Sequence, residues 1–380
     1  MAPPTTPIKI GFVGLSSSGW ASDVIAPALT QQALKGIYDI VAISNSSDAT
    51  SASAAEKYGK IVGHPISAYS GNTAKIASDP NVDLVAVSVK TPMHKELLMP
   101  VIEAKKDFFI EWPAGRSLQE TLEIAEAAKR NGVRSLIGLQ GHGSAIVTKI
   151  KEIIASGKIG TILSTNVIGT IPQDFGGWGP VTTENNSYII DAENGATMLS
   201  IIIGHFLNLF TQILGDFASV SATSTLIYDT TTIVDKATKQ PTGKTLVVTE
   251  PDHISFSGVL KSKVFVNAVW RTGYKMTPGR RRFLWEIDGE EGTIRVESDL
   301  LMGAAIHVVD ADLYVNGEKV EYRDPGAVGG AIDNVANSWK EFARGELGRH
   351  PTIDDAVKNH RLLAAIRKSF EEDGKSVHFK

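Results

Sequence analysis

Residues 11–20 read GFVGLSSSGW and join an apolar strand that begins at Ile8 to a helical segment. Gly14 permits a tight turn after the strand, and Gly19 lets the helix pack close to the sheet. Ser16 stands where a further glycine usually lets the backbone approach a pyrophosphate, but its small side chain can donate a hydroxyl to phosphate. The loop predicts a dinucleotide site at a helix N-terminus, with a purely structural turn as the alternative.

Strand-like and helix-like segments alternate through the first 135 residues. This alternation predicts βαβ units and a parallel sheet. We therefore expect residues 1–135 to form a doubly wound Rossmann domain that binds the dinucleotide. The predicted strands include 8–14, 38–44 and 83–89, and the predicted helices are 21–35, 52–58, 94–104 and 118–131.

The pattern changes after about residue 160 to strands that are separated by short turns. Short connections favour an antiparallel sheet. We predict that residues 136–380 form an α/β substrate and oligomerisation domain with a large, mostly antiparallel open sheet and carboxyl-terminal helices. The Thr-rich segment 229–242 is expected to be a mobile loop. The predicted helices of this domain are 196–214, 333–344 and 354–371.

The composition narrows the class of protein. The chain has 380 residues, a hydrophobic fraction of 42%, a net charge of -4 and no cysteine. Disulfides, thiolate metal sites and a cysteine nucleophile are therefore excluded. The charge gives no basic footprint for direct nucleic-acid binding. We find no metal motif, signal sequence or uninterrupted apolar run of about 20 residues, so we expect no metal and no membrane partner. The expected compartment is the cytoplasm, with the nucleus as an alternative.

The tip of the second strand bears on the choice of dinucleotide. It reads Ser44-Asn45-Ser46-Ser47, and the first carboxylate is Asp48. An acidic residue at this tip usually binds the adenine ribose of NAD, whereas its absence leaves room for a 2′-phosphate. No arginine stands there to bind that phosphate. The sequence therefore favours NADP, with Ser46 and Ser47 as donors, and leaves NAD open.

A series of short motifs follows the glycine-rich loop along the chain. They are Thr91-Pro92 with His94, Glu111-Trp112-Pro113, Gly138-Leu139-Gln140, Ser156-Gly157-Lys158-Ile159-Gly160, Gly204-His205 and Asn359-His360-Arg361. With these motifs the chain resembles the Gfo/Idh/MocA oxidoreductase family over essentially its whole length. The resemblance implies a nicotinamide cofactor and a homodimer or homotetramer in which a partner subunit covers the open sheet.

Within that family the chain is most similar to the fungal branch that includes the galactose-pathway transcriptional repressor. The similarity rests on Glu111-Trp112, Ser16, Leu139-Gln140-Gly141 and Pro251-Asp252-His253. The branch includes a regulator whose dinucleotide is a ligand and not a redox reagent. The resemblance therefore leaves two functions open, an enzyme and a regulator that binds a protein partner.

Trp112 occupies the position at which the family usually has a lysine beside the nicotinamide. The indole either caps the nicotinamide and a flat substrate or fills the pocket, in which case the site is a sensor. The family also uses an aspartate and a histidine on a helix of the second domain. Here Ile201 replaces the aspartate and His205 remains. His205 is thus the best candidate for proton exchange, with a core histidine as the alternative.

Further residues complete the predicted site. Lys90 follows a parallel strand and is a candidate for catalysis, although a solvated loop lysine is the favoured interpretation. His142 and Tyr188 are further catalytic candidates, and Trp112, Asp191 and Asn208 are expected to contact substrate. The predicted dinucleotide ligands are Gly14, Leu15, Ser16, Ser18, Gly19, Trp20, Asn45, Ser46, Ser47, Lys90, His94, Glu111, Trp112 and Gln140.

Three functions follow from these residues. The first is an NAD(P)-dependent oxidoreductase that transfers hydride to or from a small polar substrate, such as a sugar or a secondary metabolite. The second is a non-catalytic regulator in which dinucleotide binding controls a protein partner. The third is a redox-neutral epimerase or lyase that oxidises its substrate transiently. The sequence favours the enzyme.

Overall fold

The structure is a computed structural model that describes residues 6–345 and 348–379. It divides into two compact units. The first contains the described residues of Met1–Gly143 and Ala331–Lys358, and the second contains those of Ser144–Gly330 and Asn359–Lys380. The sequence predicted one boundary after residue 135. The chain instead passes between the units three times, because part of its carboxyl-terminal region belongs to the first unit.

Within the described residues, the parallel sheet of the first unit has six strands. They are β1 Ile8–Val13, β2 Tyr38–Asn45, β3 Ser67–Ser70, β4 Leu84–Val87, β5 Asp107–Glu111 and β6 Ser135–Gly138. Their order is β3-β2-β1-β4-β5-β6, so the strand order reverses between β1 and β4. This is the order of a dinucleotide-binding fold, and it confirms the predicted fold class of the amino-terminal part.

The helices between these strands begin and end at recognisable signals. They are α1 Ala26–Thr30, which follows a π-helical turn at Ala21–Ile25, α2 Asp48–Val62, α3 Ala74–Ala77, α4 His94–Glu103 and α5 Leu118–Asn131. The Ser47 side chain caps α2 by accepting from the Thr50 N–H, and Gly63 ends it in the left-handed conformation at φ 88°. These caps extend α2 well beyond the predicted range 52–58.

The described residues of the second unit contain twelve strands. They are β7 Ile162–Pro172, β8 Val181–Thr183, β9 Phe217–Thr225, β10 Thr230–Val234, β11 Pro241–Val247, β12 His253–Leu260, β13 Phe265–Tyr274, β14 Phe283–Gly289, β15 Thr293–Ser298, β16 Asp312–Val315, β17 Glu318–Lys319 and β18 Val377–His378. Nine of them form one sheet in the order β17-β16-β15-β14-β7-β13-β12-β9-β18. Only β7 and β13 pair in parallel in this sheet, as far as the structure is described. The predicted large, mostly antiparallel sheet is confirmed.

The prediction of a mobile loop at 229–242 is wrong. Strands β10 and β11 form an antiparallel hairpin there, and β10 also pairs in parallel with β8. Thr231, Ile233 and Val234 are buried in this small sheet. Threonine and β-branched residues suit strands, so the Thr-rich composition indicated a strand and not a loop.

Four further helices complete the described structure. They are α6 Ala145–Ala155, α7 Gly204–Leu214, α8 Gly330–Ala343 and α9 Ile353–Glu371. Phe206 of α7 packs against Trp270 and Trp285 of the large sheet, with ring centroids 5.4 and 5.2 Å away. A Cβ on Gly169 would overlap the Trp270 ring, so the glycine is needed for the indole to fit.

One helical stretch among the described residues, Ala192–Leu214, passes a length and composition test for a membrane span, with a mean hydropathy of 1.5. Of the most apolar 18-residue segment of this stretch, 78% is buried inside the protein. Burial in the core of the second unit therefore accounts for its apolar character, as it does for many core helices.

Helix α8 belongs to the core of the first unit, although the sequence assigned it to the second domain. The Trp339 ring lies 5.2 Å from Tyr38 and 5.1 Å from Phe109, measured between ring centroids. The Tyr38 hydroxyl donates to the Trp339 carbonyl oxygen at 2.6 Å. Trp339 and Phe342 are fully buried. An amphipathic helix can bury its apolar face against any partner, so its pattern alone could not identify the unit that it joins.

We predict that Trp339→Ala lowers the free energy of unfolding by about 3–5 kcal/mol, because it leaves a large cavity in the core. Tyr38→Phe removes one hydrogen bond and should cost about 1–2 kcal/mol. Urea unfolding followed by far-ultraviolet circular dichroism measures both changes. Ile61→Ala, at a side chain that is 55% exposed, is the control. Equal stability of Trp339→Ala and this control would contradict the assignment of α8 to the first core.

Candidate functional site

A cavity of about 670 Å³ opens at the carboxyl ends of β1, β2 and β4 in the first unit. It lies where the strand order reverses, which is the usual ligand position in open α/β sheets. The lining residues are Val13, Gly14, Ser16, Ser44, Asn45, Ser46, Thr50, Gly71, Asn72, Thr73, Ser88, Val89, Met93, Glu96, Leu97 and Pro100. The residues after β3 and on α4 were not predicted, because no motif marks them in a single sequence.

Gly14 is held in a close backbone approach between β1 and β4. Its φ is 93°, which L side chains rarely adopt. A Cβ there would overlap the Ser88 carbonyl oxygen and lie 2.7 Å from Val89 Cγ1. The glycine therefore lets the ends of β1 and β4 approach closely and leaves this wall of the cavity, here called the cradle, without a side chain. A glycine-rich turn before a helix is the usual position of the diphosphate in dinucleotide-binding folds.

Side chains hold the rest of the glycine-rich loop. The Ser16 hydroxyl donates to the Ser18 carbonyl oxygen at 2.8 Å. The Asn45 amide donates to the Leu15 carbonyl oxygen at 2.9 Å and so ties the loop to the end of β2. Gly19 has a φ of 104°, and its carbonyl accepts from the Asp23 N–H at 2.8 Å at the start of the helix. Ser16 and Asn45 thus shape the loop as well as line the cavity.

The tip of β2 leads directly into α2. Ser46 lines the cavity, whereas the Ser47 hydroxyl caps the helix through the Thr50 N–H at 3.2 Å. The Ser70 hydroxyl donates to the Asp48 carboxylate beside this tip. The lining residues include no lysine or arginine. The positive end of the α2 dipole is a feature near the tip that favours an anion.

Glu111 ends β5 as a buried carboxyl group, 9% exposed. It accepts from the Trp20 indole N–H at 2.8 Å and from the Gln140 amide at 3.2 Å. Burial raises its pKa to about 8, and these two hydrogen bonds oppose the shift. A Cβ on Gly138 would overlap this carboxyl group, so the glycine of β6 is needed to house it. The structure thus brings together the predicted residues Trp20, Glu111 and Gln140.

Trp112 follows Glu111 along the chain, and His94 contacts the residue after it, Pro113. The His94 ring nitrogens lie 2.8 Å from the Pro113 carbonyl oxygen and 3.0 Å from the Val89 carbonyl oxygen. Burial lowers the pKa of His94, although both carbonyl contacts favour the protonated ring. His94 therefore joins the loops after β4 and β5. The Trp112 indole is 5% exposed and precedes Pro113 through a cis peptide bond.

The remaining predicted residues of the first unit differ in exposure. Leu15 is buried beneath the loop, and Trp20 is 37% exposed. Ser18 is exposed, as is Lys90 before the short helical turn Thr91–Met93. His142 is half-buried on the turn Gln140–Gly143. The Gln140 amide oxygen is buried without a hydrogen-bond partner among the described residues, so it can accept from a ligand.

His205 lies in the second unit at the start of α7. Its ring stacks on His307, with centroids 3.9 Å apart and planes inclined by 7°. Burial and the neighbouring His307 hold the pKa of His205 well below its usual value, and burial lowers that of His307 to about 3. Both rings are therefore neutral near pH 7. Nδ1 of His205 is buried and has no hydrogen-bond partner in the part of the chain that the structure describes.

The sequence analysis missed His307. It lies in the irregular segment between β15 and β16, where no motif or periodicity places it beside α7. Only the fold of the second unit reveals the pair.

Three other predicted residues of the second unit make local contacts. The Asp191 carboxylate accepts from the Glu193 N–H at 2.9 Å and caps a short helical turn. Tyr188 accepts from the Asn194 amide at 2.7 Å through its carbonyl oxygen, and burial raises the pKa of its hydroxyl. Asn208 is buried on α7, and its amide oxygen accepts from Gln212 at 3.2 Å. Asp191 and Tyr188 thus shape the segment before α7.

No group of three or more His, Asp or Glu side chains is placed to bind a metal within residues 6–345 and 348–379. The Asp252-His253 pair has a clear structural contact. The Asp252 carboxylate accepts from the Tyr228 N–H at 2.8 Å, and His253 Nδ1 lies 2.7 Å from it. The pair therefore fixes the turn that precedes β10.

Two family descriptions match successive parts of the chain. Residues 8–139 match "Oxidoreductase family, NAD-binding Rossmann fold" (GFO_IDH_MocA), and residues 145–298 match "Gal80p, C-terminal domain". The chain is 31% identical over 373 residues to the dehydrogenase aclE of Aspergillus oryzae, with 96% of each chain covered.

The chain is also similar to regulatory proteins. It is 26% identical over 332 residues to the galactose/lactose metabolism regulatory protein GAL80 of Saccharomyces cerevisiae, covering 83% of this chain and 72% of that protein. The crystal structure of the transcriptional regulator Gal80p from Kluyveromyces lactis superposes with a TM-score of 0.83 and 26% identity, covering 98% of this chain and 92% of that one. The relatives thus include a dehydrogenase and regulators.

We predict that the buried histidine pair makes the protein sensitive to acid. In the unfolded chain a histidine has a pKa near 6.5 and takes up a proton below that pH, whereas the stacked histidines of the native protein stay neutral. The free energy of unfolding is therefore greatest above about pH 6.5 and decreases below it. His307, whose pKa burial lowers to about 3, should cost about 2 kcal/mol between pH 7 and about pH 5, and His205 adds to this loss. His307→Phe keeps an aromatic ring at this position. It should remove the contribution of His307 to the decrease in the free energy of unfolding at low pH.

The measurement is urea unfolding at both pH values. His378→Asn, at an exposed ring, is the control and should leave the pH dependence unchanged. An unchanged pH dependence in His307→Phe would show that the native pair already binds protons in this range.

Proposed function

Because the chain belongs to the Gfo/Idh/MocA oxidoreductase family and combines its NAD-binding Rossmann fold with a Gal80-like carboxyl-terminal domain, we propose that it is a nicotinamide-dinucleotide-dependent dehydrogenase of a small polar substrate. The observation that supports this most strongly is the cavity at the ends of β1 and β4. Its lining includes Gly14, where the structure leaves no room for a Cβ. A dinucleotide diphosphate is the ligand that such a cradle suits.

The proposed dinucleotide is NADP, with NAD as the alternative. Ser46 faces the cavity, and the α2 N-terminus begins two residues later. Hydroxyl groups and a helix N-terminus both suit a 2′-phosphate. The ribose-binding carboxylate that NAD sites usually place at the end of β2 is replaced by Asn45, whose amide holds Leu15.

The bound dinucleotide would supply hydride transfer, and the protein would handle the substrate hydroxyl and its proton. With Trp112 in place of the usual lysine, His205 is the proposed hydrogen-bonding group. Its low pKa makes it a neutral donor or acceptor and not a charged acid. The unpartnered Nδ1 supports this role, because a buried ring nitrogen gains from a ligand oxygen. The proposed substrates are sugar-like molecules or secondary metabolites.

A regulator that binds a dinucleotide as a ligand is the second proposal. It is supported by Trp112, which removes the usual ammonium group, and by the similarity to GAL80. In this case a protein partner, and not a substrate, would respond to the bound dinucleotide. We propose the cytoplasm as the compartment, with the nucleus as the alternative for a regulator.

A homodimer or homotetramer is proposed for either function. One face of the nine-stranded sheet carries directly paired, exposed apolar side chains, Val259 and Phe265. The alternate residues of β13, Val266, Ala268 and Trp270, are buried on the other face. A second copy of the chain would cover the exposed face, as exposed apolar patches commonly mark interfaces.

We predict that the protein binds NADP(H) or NAD(H) and that Gly14→Ala weakens this affinity at least about tenfold, because the methyl group overlaps the Ser88 carbonyl oxygen and so displaces the backbone that lines the cavity. Isothermal titration calorimetry measures the affinity. The matched control is Gly36→Ala, at φ 78° with open space around the Cβ position. Like Gly14→Ala, this variant places a side chain at a positive φ, but its Cβ meets no other atom within 4 Å. Absence of binding in the wild type for all four nucleotides would refute both proposed functions.

We expect His205→Ala to lower kcat/KM by about 100-fold or more, the usual effect of losing a proton-handling group. Affinity for the dinucleotide should stay within about twofold. Turnover of a panel of aldoses and polyols is followed by absorbance at about 340 nm, where reduced nicotinamide absorbs. His64→Asn, a histidine paired with Asp39 in the first unit, is the control. Binding without any turnover across the panel would favour the regulator.

A further inference from the structure

Glu111 is a buried acid whose hydrogen-bond partners carry no charge. Its carboxyl oxygens accept from the Trp20 indole and the Gln140 amide. No cation is among these partners in the described structure, so only hydrogen bonds from uncharged groups oppose the cost of burying the ionised form. The group therefore changes its charge close to neutral pH, with a pKa raised to about 8 by burial.

The position of this acid matters for a ligand. Glu111 ends β5, in the half of the sheet that lies beyond the β1–β4 reversal from the cavity at β2. A dinucleotide spans such a sheet with one nucleotide over each half. With the adenosine half at β2, the nicotinamide half lies over β4, β5 and β6. Trp20 links the carboxyl group to the glycine-rich loop, so both halves of the site share this contact.

The two redox forms of a nicotinamide differ by one positive charge on the ring. We propose that Glu111 couples the redox preference of the site to pH, its ionised form favouring the oxidised dinucleotide and its protonated form favouring the reduced one. The inference rests on the proposed dinucleotide binding. Binding of the oxidised form to the protonated acid releases the carboxyl proton to solvent, and binding of the reduced form does not.

Other titratable groups lie on the elements around Glu111. His94 of α4 has both ring nitrogens at carbonyl oxygens. Lys90 follows β4 and His142 follows β6. The hydrogen bonds that act on the acid come from the Trp20 and Gln140 side chains and from the Trp112 backbone. Glu96 lines the cavity from α4 and is exposed. Glu111 is thus distinguished by its burial and by its uncharged partners.

The test is titration calorimetry of the intact protein with NADP⁺ and NADPH, or with NAD⁺ and NADH if these bind more tightly. The affinity ratio of oxidised to reduced form is measured at about pH 6.5 and about pH 9.5, either side of the carboxyl pKa. We expect this ratio to rise about tenfold with pH, which corresponds to a shift of one unit in the pKa of Glu111 between the two complexes. Titrations near pH 8 in two buffers of different ionisation enthalpy count the released protons.

Glu111→Gln mimics the protonated acid. In this variant the affinity ratio of oxidised to reduced dinucleotide should keep its low-pH value at both pH values. Glu96→Gln removes an exposed carboxylate from the same cavity and should leave the pH dependence in place. If Glu111→Gln does not fold, the measurements on the wild-type protein test the inference by themselves. Binding of both forms with a ratio independent of pH, and with equal proton release, would overturn the inference while leaving the proposed function intact. Absence of all binding would instead refute the proposed function.

Discussion

The close approach of the chain at the ends of β1 and β4 is the constraint on which the rest of the first unit depends. A Cβ on Gly14 would overlap the Ser88 carbonyl oxygen. Two parallel strands can therefore end side by side and leave a cavity above them only with glycine here. The loop that follows is held by Asn45 and by internal hydroxyl contacts, so a short run of small residues shapes the cavity without a charged side chain from the loop itself.

Local patterns predicted much of this structure. The glycine-rich loop and the alternating apolar segments predicted the parallel sheet, because βαβ units leave a strong periodic signal. They could not predict that α8 completes the first core, since the contact of Trp339 with Tyr38 joins residues about 300 positions apart. The hairpin of β10 and β11 was missed because polar composition was read as a loop, although threonine favours strands.

The candidate site was predictable where a motif marks it. The motifs singled out Glu111 and His205, but not the environments that set their charge. The burial of Glu111 depends on the missing side chain of Gly138, and the neutrality of His205 depends on burial and on His307 in a distant loop. In both cases desolvation sets the protonation state. The residue after Glu111 is Trp112, so this motif places an indole and not an ammonium group at the end of β5.

The return of α8 to the amino-terminal core has a consequence for protein synthesis. Nascent domains commonly fold as soon as their residues leave the ribosome. This nucleotide-binding fold cannot do so, because Trp339 and Phe342 are made only near the end of translation. Trp339 and Phe342 cannot cover the apolar surface around Tyr38 and Phe109 until then, so the early chain carries an exposed apolar patch during synthesis. The second unit, whose large sheet is almost complete before α8 is made, has the opportunity to fold first.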